Sequence, residues 1–98
     1  MSKQVYAKIE EVLKQTARFG VPALAPHEFA NTSIAARPEN DGGPTYQVNA
    51  REFVGCSEAT LGRRLRELAQ MGRVTRRKRD GKTFKEFALT VREETPSA

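Results

Sequence analysis

The sequence predicts an α+β fold, mainly α, in which three helices are followed by a C-terminal β-hairpin. Two segments, 2–19 and 58–71, carry apolar residues at the spacing of an amphipathic helix. Residues 73–91 hold two strand-like runs separated by Asp80-Gly81, a dipeptide that favours a two-residue hairpin turn. These patterns favour helices packed around one core, with the hairpin at the end.

The first helix is predicted over residues 2–19. Its apolar stripe consists of Val5, Ile9, Val12, Leu13 and Thr16, widened by Tyr6 and Ala17. Gly20 and Pro22 end the helix, because glycine accepts the left-handed cap and proline cannot continue the hydrogen-bond ladder. We expect this stripe to lie in the core, and a homodimer interface is the alternative use of a stripe this wide.

Residues 21–44 carry the least readable pattern in the chain. There is room for one helical turn after Pro26, and an Asp-Gly-Gly turn signal follows further on. One interpretation is a loose β-hairpin that pairs 32–37 with 45–48, and the other is a flexible loop followed by one short strand. We predict an ordered strand at 45–48 and leave the loop open.

A short helix is predicted over residues 49–55. Asn49 is a suitable cap, and Glu52 is placed three residues on to complete a capping box. The inner face is formed by Ala50, Phe53 and Val54. Gly55 then allows the backbone to turn before the next helix.

The next helix is predicted over residues 58–71, with Ser57 as its cap. Its buried stripe is formed by Leu61, Leu65 and Leu68, with Met71 one turn on. The residues expected away from that stripe are Ala59, Gly62, Arg63, Arg66 and Gln70. Gly72 ends the helix.

The hairpin follows over residues 73–91. Side-chain alternation sends Arg77 and Arg79 to one side of its first strand, and Arg76 and Lys78 to the other. A strand that is basic on both faces is unusual against a core, so we expect the hairpin to project from the domain. The return strand, 83–91, places its apolar residues on one face: Phe87, Leu89 and Val91.

The positive charge is concentrated in one part of the chain. The net charge is +5, but residues 57–85 alone hold ten Lys/Arg against three acids, a net charge of +7. The other residues hold seven Lys/Arg against nine acids, a net charge of −2. A patch of this kind attracts a polyanion far better than scattered charge does. The alternative is a solvated face that only aids solubility.

Composition argues against several other classes of protein. With 98 residues, we expect one domain over 1–91 and a flexible tail at 92–98. No apolar run is long enough to span a bilayer, and no secretory signal is recognisable, so we expect a cytoplasmic protein. The single histidine, His27, and the single cysteine, Cys56, do not make an ordinary metal site. No phosphate-binding loop motif occurs either. We therefore expect no enzyme activity, no cofactor and no small-molecule effector.

One stretch, AREFVGCSEATLGRRLRELAQMGRVTRR at 50–77, carries a recognisable combination of residues. It has a small residue opening the second helix, a glycine at the turn, a polar cap and a Leu-x-x-Leu spacing. Those positions are Ala50, Gly55, Ser57, Thr60, Arg63, Leu65 and Leu68, and Gly72-Arg73-Val74 follow as the exit from the helix. Together with the hairpin, this pattern resembles the winged helix-turn-helix domain. The resemblance covers 45–91, about half of the chain.

Two features depart from the pattern of that family. The connection between the first and second helices is long and contains proline and glycine. Gly62 stands in mid-helix, where glycine costs about 1 kcal/mol relative to alanine. Either a phosphate or base edge approaches the helix closely at Gly62, or the residue is a tolerated surface glycine.

The resemblance implies a recognition helix at 58–71 and a wing at 73–91, both in contact with DNA. The helix contributes Ser57, Ala59, Thr60, Gly62, Arg63, Arg64 and Arg66. The wing contributes Arg76, Arg77, Lys78, Arg79 and Lys82. Arg64 has two possible uses, because it can reach a phosphate or pair with Glu58 or Glu67.

In such domains the second helix of the pair enters the major groove by its N-terminal half. Arg63 is then the candidate for guanine, because a guanidinium can bond O6 and N7 together. Ser57 and Thr60 are better placed for phosphate oxygens. An arginine at the wing tip can enter a narrow minor groove, while the other wing cations hold the backbone.

The predicted function is therefore a sequence-specific regulator of transcription, a repressor, that binds double-stranded DNA. A homodimer through the N-terminal helix would read an inverted repeat, because one helix contacts few base pairs. The protein would be nucleoid-associated when bound. Two alternatives stay open: a replication or recombination accessory protein, and an RNA-binding or protein-interaction module of the same fold.

Overall fold

The computed structural model describes residues 3–37 and 43–90. Four helices and two antiparallel strand pairs follow one another, which confirms the α+β class. The helices are α1 (Lys3–Arg18), α2 (Pro26–Ala30), α3 (Ala50–Val54) and α4 (Glu58–Gln70). The strands are β1 (Ser33–Ala36), β2 (Tyr46–Asn49), β3 (Val74–Lys78) and β4 (Lys85–Leu89). The predicted tail, 92–98, lies outside the described residues.

Helix α1 lies against the core by its predicted stripe. Ile9, Val12 and Leu13 are fully buried, whereas Ala17 is exposed, so the stripe is narrower than predicted. The helix ends at Arg18, and Gly20 takes the left-handed conformation with φ of 89°. That conformation strains a residue with a Cβ atom, which explains the glycine.

The segment after α1 forms a short helix and a β-hairpin. Strands β1 and β2 pair antiparallel, with Ile34 opposite Val48, so the hairpin interpretation of this region is the correct one. Residues 38–42, between these strands in the chain, are not among those described. The outer edge of β1 is bound by a side chain of α1. The Gln15 amide donates to the carbonyl of Ala35 at 2.8 Å and accepts from its N–H at 3.1 Å.

Helices α3 and α4 form the predicted pair around a tight turn. Asn49 accepts from the N–H of Arg51 at 3.0 Å, and Ser57 accepts from the N–H of Thr60 at 3.3 Å. The expected capping box is absent, because Glu52 is exposed and its side chain bonds to none of the residues described. Gly55 turns the chain with φ of 82°.

The end of α4 differs from the prediction. The helix stops at Gln70, and Met71, expected in the buried stripe, is 50% exposed. The stripe therefore consists of Leu61, Leu65 and Leu68, each fully buried.

The β3–β4 hairpin has a longer connection than a two-residue turn. Lys78 lies opposite Lys85, so residues 79–84 form the loop, in which the N–H of Lys82 donates to the carbonyl of Arg79 at 3.0 Å. Asp80-Gly81 does occupy the turn inside this loop. Leu24, which precedes α2, exchanges two backbone hydrogen bonds with Phe87 at 2.9 and 2.8 Å. Leu24 thus forms a single antiparallel bridge beside β4.

One apolar cluster joins all of these elements. Its largest fully buried side chains are Phe29, Phe87, Ile9, Leu13, Leu61, Leu65, Leu68 and Val12. Strand β2 contributes Val48, which is partly buried against the cluster. Each element thus has an apolar contact with the same core, which fixes α4 and the base of the β3–β4 hairpin relative to each other.

Candidate nucleic-acid interface

The outward face of α4 carries the first part of the candidate site. Ala59, Arg63, Arg66 and Gln70 are exposed and follow one another at intervals of three or four residues. Such intervals place side chains on one helix face. Arg63 and Arg66 form no ion pair with any other residue that the structure describes. Two arginines on a helix supported from behind by three buried leucines are available to a ligand.

Gly62 does not belong to that face, and the prediction that it lies away from the buried stripe was wrong. It is buried, and a Cβ atom added there would lie 3.7 Å from both Cβ and Cγ of Pro26. The close approach inferred from this glycine is therefore that of α2. Helical spacing alone could not show this, because α2 covers a side of α4 that the sequence marks as polar.

Arg64 is the second correction to the predicted site. Its Nη1 donates to both carboxylate oxygens of Glu67, at 2.7 and 2.8 Å, and its side chain is only 12% exposed. Tyr6 of α1 donates its hydroxyl to Glu67 at 2.7 Å. Of the two uses predicted for Arg64, the structure shows the internal ion pair. Arg64 holds α4 to α1 through Glu67 and is not available as a phosphate ligand.

The same cluster shifts the ionisation of its members. The hydrogen bond from Arg64, and next that from Tyr6, hold the pKa of Glu67 below its usual value. The hydrogen bond to Glu67 raises the pKa of Tyr6. These shifts favour an ionised Glu67 and a neutral Tyr6, so the cluster is a stable tie between two helices.

Two of the predicted wing cations are also paired within the protein. Arg77 and Arg79 donate to Glu86 of β4 at 2.6 and 2.5 Å. Arg77 lies in β3, whereas Arg79 lies in the loop, so strand alternation does not apply to Arg79. Arg79 also binds Glu28 of α2 through two hydrogen bonds of 2.6 and 2.8 Å. Arg77 keeps an exposed guanidinium, but neither cation is free of an acidic partner.

Both acids of this network are held in the ionised form. The hydrogen bonds from Arg79 lower the pKa of Glu28 to about 2, from a usual value of 4.5. The bond from Arg79, followed by that from Arg77, lowers the pKa of the buried Glu86. The two carboxylates in turn raise the pKa of Arg79. The network therefore stays charged throughout the neutral range.

Six of the ten cations in residues 57–85 lack an acidic partner within the described part of the chain. They are Arg63 and Arg66 on α4, and Arg76, Lys78, Lys82 and Lys85 on the hairpin. The other four are paired: Arg64, Arg77 and Arg79 as above, and Arg73 with Glu10 of α1. The excess positive charge is therefore presented by two elements, the outward face of α4 and the hairpin.

Lys85 was missing from the predicted site, although it lies opposite Lys78 in the hairpin. Cross-strand partners project from the same face, so the two lysines form one positive pair. A two-residue turn would have placed Thr83 opposite Lys78 instead. The strand register that places Lys85 opposite Lys78 depends on the length of the loop. The Asp80-Gly81 dipeptide alone predicts a loop that is too short.

Helix α2 connects the two parts of the site. On one side Pro26 packs against Gly62 of α4. A Cβ atom placed on Gly62 would lie 3.7 Å from Pro26 and 3.7 Å from the Nη1 of Arg66. On the other side the rings of His27 and Phe84 meet edge-to-face at 4.9 Å, and Arg79 lies over Phe84 at 5.0 Å. The outward face of α4, through Arg66, and the loop of the hairpin, through Phe84 and Arg79, thus both lie beside α2.

The remaining predicted residues of α4 and its cap are Ser57, Ala59 and Thr60. Ser57 is exposed and caps α4, and its hydroxyl donates to Thr60 at 3.2 Å. Thr60 is half-buried, while Ala59 is exposed beside Arg63. Ser57 and Ala59 are therefore open to a ligand, and the cap role of Ser57 does not depend on one.

Other kinds of site have less support. Over residues 3–37 and 43–90, no three His, Cys, Asp or Glu side chains gather as a metal site would require. None of the described helices is long and apolar enough to cross a membrane. Comparison with known proteins found no family model, no curated protein and no solved structure that matches the chain. A function is therefore inferred from the residues of this chain and their geometry.

Proposed function

We propose that this protein binds double-stranded DNA, with α4 in the major groove and the β3–β4 hairpin along the phosphate backbone. The observation that carries the proposal is the division of cations within residues 57–85. Acidic partners neutralise the arginines that tie elements together, whereas the six unpaired cations lie on α4 and the hairpin. A surface with that charge excess suits a polyanion of regular shape.

The arrangement of elements supports a winged helix-turn-helix interpretation. A short helix, a glycine turn and a capped longer helix precede an antiparallel hairpin, and Leu24 forms a single β-bridge with that hairpin. In this interpretation α4 is the recognition helix and the hairpin is the wing. The inserted β1–β2 hairpin accounts for the long connection that departs from the family pattern.

Arg63 is the residue proposed to read a base. It lies in the N-terminal half of α4, which enters the groove in helix-turn-helix complexes, and it is exposed and unpaired over the described residues. A bidentate contact with guanine is worth ~1–3 kcal/mol of discrimination. Arg66 is one turn further on and is placed for a neighbouring base or phosphate.

The hairpin is proposed to hold the backbone without reading sequence. Lys78, Lys82 and Lys85 are exposed point charges, suited to phosphate rather than to a base edge. Neutralising roughly six phosphates gives a slope of about −5 for log K against log salt concentration. A titration from low to moderate salt measures that slope. A slope near zero would contradict the proposed interface.

RNA and single strands are less favoured partners. Single-stranded ligands are bound largely by stacking on exposed aromatic rings. Phe84, the aromatic side chain nearest to the basic surface, is half-buried between His27 and Arg79. Its ring is therefore engaged within the protein and is a poor platform for a base.

A second copy of the chain, if an inverted repeat is the target, has to meet the first outside the apolar stripe of α1. That stripe is buried in the core, so it is not free to form the dimer interface that the sequence predicted. Phe19, which directly follows α1, is 84% exposed and is open to an interface with a second copy. Sedimentation of the free protein and of its DNA complex measures the number of copies directly.

Selection of bound duplexes from a random pool, with competing RNA present, tests the proposed function. An enriched duplex motif is expected for a transcriptional regulator, and a palindromic motif is expected for a dimer. Binding to every duplex with no motif would instead favour an accessory protein of replication or recombination. Preferential capture of the RNA would overturn the proposal.

A further inference from the structure

The structure assigns Glu28 a role in DNA binding that its charge alone would not suggest. We propose that Glu28 is a positioning residue, which holds the loop of the β3–β4 hairpin against α2 so that the lysines of the hairpin reach the phosphate backbone. This inference rests on the proposed function, because it concerns how the same interface is assembled. Glu28 itself would touch no DNA.

Glu28 is tied to two elements at once. One of its oxygens accepts the N–H of Ala25 at 2.9 Å, which fixes the carboxylate at the start of α2. Both oxygens accept from Arg79 of the hairpin loop, and Arg79 also binds Glu86 at 2.5 Å. A two-point contact between guanidinium and carboxylate fixes direction as well as distance. The loop is therefore oriented relative to α2, and α2 lies against α4 at Gly62.

The hairpin needs such a contact because its buried apolar side chains, Val74 and Phe87, lie at its base and middle, and none lies in the loop 79–84. In β3 only Val74 is buried, and the residues that follow it in that strand are exposed. A two-stranded hairpin has little stability of its own in water. Near the tip, the hydrogen bonds and ring contacts that the described residues make with other elements are those of Arg79 with Glu28 and of Phe84 with His27. Removing the first of these takes away the contact that fixes direction.

Two explanations of Glu28 predict opposite results. If only net charge matters, the Glu28→Gln variant binds DNA more tightly, because a negative charge is removed from the side of the protein that faces phosphates. If Glu28 positions the hairpin, the same variant binds more weakly, because the lysines are no longer held in register with the backbone. We expect about a tenfold loss of affinity, together with a shallower salt slope than the wild type has.

Glu58→Gln is the matched control. Glu58 lies in the basic segment 57–85, is exposed and forms no ion pair among the residues described. Its replacement therefore changes the net charge by the same amount as Glu28→Gln does, without releasing the hairpin. We expect equal or slightly tighter binding for this variant. Hydrogen exchange in the free proteins adds a readout that does not involve DNA. Exchange should rise at amides of the hairpin loop in Glu28→Gln and stay unchanged in α4.

A double-mutant cycle separates positioning from a general effect. In a background with Lys78, Lys82 and Lys85 replaced by alanine, Glu28→Gln should cause no further loss, because the groups it positions are gone. An equal loss in both backgrounds, or binding by Glu28→Gln as tight as that of the wild type, overturns the inference while leaving DNA binding intact. A wild-type protein with no measurable affinity for duplex DNA overturns the proposed function itself, and this inference with it.

Discussion

Helix α4 and the β3–β4 hairpin present the same kind of charge but are held in different ways. Helix α4 is supported along its length by three fully buried leucines, with Arg63 and Arg66 on the opposite side. The hairpin has buried apolar side chains at its base and middle, Val74 and Phe87, but none in its loop, which ion pairs orient. We infer that side chains on α4 can be placed with the accuracy needed to read a base. The hairpin is suited to phosphates, which tolerate looser placement.

The largest expected effect comes from removing the apolar support of α4. Leu65 is fully buried, so Leu65→Ala should lower the free energy of unfolding by about 2–5 kcal/mol. Gln70→Ala, an exposed change on the same helix, is the control and should stay within about 0.5 kcal/mol of the wild type. Denaturant unfolding measures both values. A small effect of Leu65→Ala would mean that α4 is not held by burial, which would remove the contrast with the hairpin.

The second largest effect is expected from comparing Arg63, which is proposed to contact a base, with Lys82, which is proposed to contact the phosphate backbone. Arg63→Ala should lower discrimination between the selected site and random duplex by ~1–3 kcal/mol, because Arg63 is proposed to bind a single base. Lys82→Ala is the comparison on the hairpin, and it should weaken binding to all duplexes alike. Both affinities are measured on both duplexes at one salt concentration. An equal loss on specific and random duplex for Arg63→Ala would contradict its proposed role.

The sequence could predict the parts of this contrast that depend on local spacing. Leu61, Leu65 and Leu68 mark the buried side of α4, and the positions of Asn49 and Ser57 mark the starts of two helices. These features involve residues close in the chain, so no knowledge of packing is needed.

The features that could not be predicted depend on contacts between distant residues. Nothing near Arg79 in the sequence identifies Glu28 as its partner, and Arg64 had two acids within reach on its own helix. The hairpin register depends on a loop in which Phe84 contacts His27 of α2. Gly62 is polar-facing by helical spacing, but the inserted connection brings Pro26 over it. Which arginines are paired within the protein, and which stay unpaired among the described residues, is therefore a property of the fold.

Acid should weaken the ionic tie of the hairpin before it affects the apolar support of α4. The pKa of Glu28 is about 2 in the folded protein, against a usual value of 4.5. Because the folded value is the lower one, its stabilisation is complete above about pH 4.5 and is lost as pH falls towards 2. The free energy of unfolding should therefore fall less over this range in Glu28→Gln than in the wild type. Identical pH profiles would show that Glu28 does not stabilise the fold.

The smallest expected effect tests whether the buried side of α4 includes Gly62. A Cβ atom there would meet Pro26 and the Nη1 of Arg66 at 3.7 Å, an ordinary contact distance, so alanine fits without displacement. Gly62→Ala should raise the free energy of unfolding by up to about 1 kcal/mol, because alanine loses less backbone entropy in a helix. Affinity for DNA should stay unchanged, because the added methyl group faces α2. A more stable variant that binds DNA less tightly would instead place Gly62 at the DNA surface, as the sequence alone predicted. Helix α4 would then contact DNA over a wider face than the one that Arg63 and Arg66 define.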